Sequence, residues 1–144
     1  MNLLFYTNVM HEAGERLRGV IETLVPYERI EIHRTIDSLT LRLHQPGDNP
    51  AVAVILVGSK EELSGILALR DLLWDARIIL ILPDREDDTV AGGHALRPRL
   101  LTYADGNFVE VAAVLGKMLE HINSGLGASP QLKSRGDGFG ETGI

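Results

Sequence analysis

Two short runs constrain this chain more than anything else in it: AVAVILV at 51–57 and ARIILIL at 76–82. Each is apolar almost throughout, rich in Val, Ile and Leu, and too short for a core helix. A strand without polar alternation has both faces covered, which is the condition of interior strands in a parallel sheet. Parallel neighbours need a crossover between them. Residues 58–75 begin polar and then place apolar side chains at helical spacing, as a crossover helix requires.

The rest of the chain repeats the alternation. Leu3-Leu4-Phe5-Tyr6 reads as a first strand. From Met10 to Leu24, residues Met10, Leu17, Val20, Ile21 and Leu24 share one helical face, and Pro26 stops that helix. RIEIHR (29–34) alternates apolar and polar, the pattern of a half-buried edge strand. Ile36 to Leu43 is a short helix, and QPGDNP (45–50) is a loop. Ser59 and Glu62 form an S-x-x-E capping box opening a helix to about Trp74. Its stripe is Leu63, Ile66, Leu67, Leu73 and Trp74, with the tryptophan partly buried. Arg85 to Leu96 is a weak helix, because Gly92-Gly93 costs it about 1 kcal/mol per glycine; the pair reads as a loop, a frayed turn or a mobile face. Arg99 to Tyr103 is a fifth strand, and Asn107 to Ile122 a strong helix capped by Asn107 with Glu110.

Five β-α units over this length predict an α/β three-layer sandwich. Its centre is a five-stranded parallel sheet of order 2-1-3-4-5, with helices on both faces. The domain spans 1–123. Residues 124–144, rich in Gly and Ser, read as a flexible tail or linker. The tripeptide Arg135-Gly136-Asp137 in that tail reads as coincidence in an acidic chain.

A net charge of −6 disfavours nucleic acid, whose phosphates repel an acidic surface. No cysteine is present, so disulfides, thiolate catalysis and iron–sulfur chemistry are out. The opening MNLLFYTN is too short and too polar afterwards for a secretory signal, and no apolar run reaches about 18 residues. A soluble cytoplasmic protein without membrane contact is expected.

Open parallel sheets bind ligands at the C-terminal ends of their strands, near the point where strand order reverses. The residues falling there are Thr7, Asn8, Gly58, Ser59, Lys60, Pro83, Asp84, Ala104 and Asp105. Ser59, at a helix N-terminus beside Lys60, reads either as an anion site or as an ordinary N-cap. Asp84, Asp87, Asp88 and Asp105 read either as oxygen ligands for a divalent cation or as a solvated acidic loop. The histidines (His11, His33, His44, His94, His121) lie on five separate elements without metal-ligand spacing. There is no glycine-rich phosphate loop and no G-x-S-x-G elbow.

Five β-α units ending in a helix near residue 122 resemble the receiver domain of two-component response regulators, a CheY-like fold of the flavodoxin-like class. The resemblance implies an acidic magnesium-binding pair after strand 1, a phospho-accepting Asp after strand 3, a Thr or Ser after strand 4 and a Lys after strand 5. Those positions here hold Thr7-Asn8, Val57-Gly58 and Leu82-Pro83, and no lysine occurs between Lys60 and Lys117. The resemblance is therefore to a degenerate receiver. It implies a non-enzymatic, cofactor-free signalling module that acts on a protein partner or on itself. In receivers the fourth helix, fifth strand and fifth helix form the docking and dimerisation face; here it would carry Arg97, Arg99, Tyr103, Glu110 and Lys117. The competing reading is small-ligand or anion binding at the strand ends through Thr7, Asn8, Gly58, Ser59, Lys60, Asp84 and Asp105. A working receiver with displaced residues is opposed by the missing lysine.

Overall fold

The structure, a computed structural model, describes residues 3–8, 12–45 and 50–127. The chain forms two compact units, 1–112 and 113–144. The first holds five parallel strands: β1 (Leu3–Thr7), β2 (Ile30–His33), β3 (Val52–Leu56), β4 (Arg77–Leu82) and β5 (Leu100–Tyr103), in the order β2-β1-β3-β4-β5. Its helices are α1 (Glu12–Glu22), α2 (Ile36–His44), α3 (Lys60–Leu67), α4 (Arg70–Leu73) and α5 (Asp87–His94). A last helix, α6 (Val109–Gly127), begins in the first unit and runs past the predicted end at Ile122 into the second. Met10 and His11 and the tail from residue 128 lie outside the described residues.

The two apolar runs are interior strands, as their composition requires. Every residue of β3 is buried, and β4 is buried after Arg77. Register ties them together: Thr7 pairs with Leu56, and Leu56 with Ile81. The alternating segment is the edge strand β2, half-buried along its length. The chain leaves β1 towards β2, then crosses back to β3 and continues to β4 and β5. With right-handed crossovers that reversal puts α1 on one face and α2, α3 and α5 on the other. The core follows. Leu4, Tyr6, Ala53, Ile55, Ile78, Leu80 and Leu82 point to one face and pack with Leu39, Leu43, Leu63, Ile66, Leu69, Leu73 and Leu96. Strand neighbours of opposite parity are buried outside that cluster, as are Leu17 and Ile21 of α1.

Three local predictions need correction. The helix expected from Ser59 to Trp74 is two helices. Leu69 sits at the junction (φ −99°, ψ 6°), and tight bonds from Leu69 N–H to the Ile66 carbonyl and Leu72 N–H to the Leu69 carbonyl, both 2.9 Å, reset the phase. The core stripe continues through Leu69 and Leu73, and Trp74 is turned outward, 79% exposed. Second, Gly92 and Gly93 are neither loop nor frayed turn. They lie inside α5 where it presses on its neighbours: a Cβ on Gly93 would meet methyls of Leu101, Leu82 and Leu80 at 3.0, 3.1 and 3.2 Å. Third, the residue whose carbonyl accepts the first bond of α6, from Ala112 N–H at 3.1 Å, is Phe108 rather than Asn107. Phe108 takes a left-handed φ of 63° and buries its ring. Asn107 instead accepts from Val109 N–H at 3.2 Å.

Candidate functional site at the strand ends

The chain reverses between β1 and β3, and the strand ends meet there. Thr7 is buried, and Asn8 and Gly58 are exposed. Ser59 is an N-cap: its Oγ accepts from Glu62 N–H at 3.2 Å. Glu62 does more than the box predicts. Its side chain, 8% exposed, reaches past Ser59 and accepts from Gly58 N–H at 2.6 Å, sealing the end of β3. Behind it lies Tyr6, wholly buried. Burial first, and then the Glu62 charge, hold the Tyr6 phenol well above its ordinary range. The Tyr6 hydroxyl has no partner in hydrogen-bonding geometry among the described residues, although Glu62 is near enough to add to that shift.

The ends of β4 and β5 are held by charge pairs. Asp84 Oδ1 accepts from Glu86 N–H at 3.0 Å, closing a turn after Pro83. That bond, then the buried Thr89 hydroxyl, keeps the Asp84 carboxyl below its usual range. Lys60 is ion-paired with Glu86, whose hydrogen bond first, and then whose charge, raise the ammonium pKa. Asp105 accepts two bonds from the Arg85 guanidinium at 2.8 and 3.1 Å and is held low by them. The same guanidinium lies over the Tyr103 ring, 4.1 Å from its centroid.

Arg16 of α1 was not singled out by the sequence. It donates to the carbonyls of Gly106 (2.8 Å) and Ala104 (3.3 Å) in the loop after β5, and it lies over the Phe108 ring at 5.0 Å. Nothing in its local sequence separates it from any other helix-surface arginine. Its role exists only once β5 is paired.

The predicted ligand set thus divides. Ser59 caps a helix, Lys60 joins Glu86, and Asp105 joins Arg85. Asp84 serves its own turn. Among the described residues no group of three or more His, Asp or Glu is placed to hold a metal ion. Of the predicted interface residues, Arg97 and Arg99 are exposed, Tyr103 is half-buried under Arg85, and Glu110 is exposed in the first turn of α6. Lys117 is exposed on the part of α6 that belongs to the second unit. No described helix is long and apolar enough to cross a membrane.

No protein-family model matches the chain, and no curated protein matches it. Among solved structures it is similar to the crystal structure of a two-component response regulator from Legionella pneumophila. The identity is 13% and the TM-score 0.59, over 86% of this chain and 98% of that one. At that identity the likeness shows the fold: a parallel five-stranded α/β domain of the CheY-like receiver type.

Proposed function

We propose that this receiver-fold domain is a non-enzymatic signalling module that works by binding a protein partner or a second copy of itself, without phosphoryl transfer to an aspartate. One observation carries the reading. The strand ends that would need two acidic residues, an acceptor aspartate, a hydroxyl and a lysine hold Thr7-Asn8, Val57-Gly58, Pro83 and Ala104-Asp105. Each group supplies a separate part of the chemistry: carboxylates for a hard cation, a carboxylate nucleophile, and a cation to offset the transferred charge. Of the acids nearby, Glu62 is committed to Gly58, Asp105 to Arg85, Glu86 to Lys60 and Asp84 to its own turn.

The docking face in this reading is that of α5 and β5, with Arg97, Arg99 and Tyr103. The test is intact mass after incubation with a small acyl phosphate and magnesium, with light scattering alongside. The expected result is no adduct. A phospho-adduct, stable or transient, overturns the reading, and a strict monomer at high concentration removes its self-association arm.

A further inference from the structure

At the end of the sheet opposite the strand termini just described, α4 and the C-terminal end of α5 enclose a cavity of about 350 Å³. Its floor is apolar, from Leu73, Ile78 and Leu96, all buried. Its polar rim comes from Arg70, Asp71 and Arg97, with Trp74 beside them. The volume is at the lower end of the range for small-molecule clefts, about 300–1,000 Å³.

Three features of this rim are unusual together. Trp74 is 79% exposed, in a position where an ordinary surface residue would spare the apolar area. Among the described residues the Arg70 and Arg97 side chains have no hydrogen-bond or ion-pair partner, so the cavity lining carries two unpaired arginines against one aspartate, Asp71, in a chain of net charge −6. Arg97 also has φ 54°, directly before Pro98. A helix end of this kind favours glycine, and a side chain in that conformation costs about 1–2 kcal/mol. The strained backbone sets the Arg97 residue on the cavity wall; backbone strain of this kind gathers at binding sites.

We infer that this cavity is a binding site for a small planar aromatic anion, its ring against Trp74 and the apolar floor and its carboxylate or phosphate between Arg70 and Arg97. The two chemistries fit the two halves of the rim. Indole faces stack on flat rings. Guanidiniums take planar oxyanions by paired, charge-assisted hydrogen bonds. Asp71 leaves the rim with one net positive charge and disfavours cationic rings. This inference does not rest on the strand-end reading, and either can fail alone.

Trp74 is the only tryptophan of the chain, so its fluorescence reports on this site directly. The full chain is titrated with adenosine monophosphate and with benzoate, each beside a neutral counterpart, adenosine and benzyl alcohol, with calorimetry in parallel. The expected result is a saturable response to at least one anion and affinity about tenfold weaker for its neutral counterpart. Arg70→Gln and Arg97→Gln should each weaken the anion by about tenfold, while Arg34→Gln, exposed and outside the lining, should not. A preference for the phosphate or the carboxylate probe tells the two sources of charge apart. No saturable response, equal binding of anion and neutral ring, or unchanged affinity in both arginine variants would overturn the inference. So would a response only to an acidic peptide, which would give the surface to a protein.

Discussion

The same substitution should have different effects on α1 and α5. In both helices an interior glycine replaced by alanine gains about 1 kcal/mol of helix propensity. At Gly19 nothing lies within 4 Å of the added Cβ, so the gain stands alone and Gly19→Ala should stabilise by roughly that amount. At Gly93 the Cβ meets three leucine methyls at 3.0–3.2 Å. Leu80 and Leu82 are fully buried in the sheet face and have no open space to retreat into. Overpacking a filled core costs about 1–3 kcal/mol, so Gly93→Ala should come out between neutral and about 2 kcal/mol destabilised. The two variants should therefore differ by about 1–3 kcal/mol. In a chain of 144 residues that is a melting-temperature gap of about 3–10 °C, read by far-ultraviolet circular dichroism. Trp74 is too exposed to serve as the unfolding probe. Equal stabilisation by both alanines would refute the reasoning: α5 would then be loosely seated, and its glycines would mark a mobile face after all.

Two further outcomes follow from the buried and charged groups near the strand ends. Tyr6→Phe should leave stability at neutral pH unchanged or slightly higher, because it removes a buried hydroxyl that finds no well-placed partner among the described residues. Since the folded phenol titrates above its unfolded value of 10.0, wild-type stability should hold below that pH and fall above it, by up to about 1.4 kcal/mol per pH unit for one proton. The phenylalanine variant should lose that part of the alkaline slope in denaturant melts across pH 8–12. In carbon-detected NMR titrations Asp105 should ionise below the ordinary carboxylate range; Arg85→Ala should return it towards normal and leave Asp84, held by Glu86 N–H, where it was.

The parts of the fold legible in the sequence are those set by burial alone. β3 and β4 had to be interior because nothing polar interrupts them, and β2 had to be an edge because it alternates. Ser59 and Glu62 announced a helix start through their spacing. What was hidden depends on who the neighbours are. A break at Leu69 cannot be read from a stripe that suits either one helix or two, so the stripe alone predicts a partly buried Trp74 where the folded residue is exposed. Gly93 carries the same letter as Gly19, and only the leucines packed on it make a larger side chain costly there. The charge pairs at the strand ends join residues about twenty or more positions apart, Lys60 to Glu86 and Arg85 to Asp105, which no local pattern records. The cavity collects residues 70–78 from one crossover and 95–97 from the next, and it exists only after β4 and β5 have paired.

The bonds of Arg16 to Ala104 and Gly106 have a consequence in time. They span 88 and 90 residues, among the longest separations in the fold, and they close a loop whose entropy must be given up before any bond is gained. Long-range contacts of that kind slow folding, because the closure entropy is lost before the contact repays it. An interaction absent from the transition state has little influence on how fast the native state is reached and acts almost wholly on how slowly it is left. By joining the first helix to the last loop, Arg16 makes the order of events measurable: Arg16→Ala should speed unfolding alone if its bonds form late, and slowed folding in a chevron would place them in the transition state.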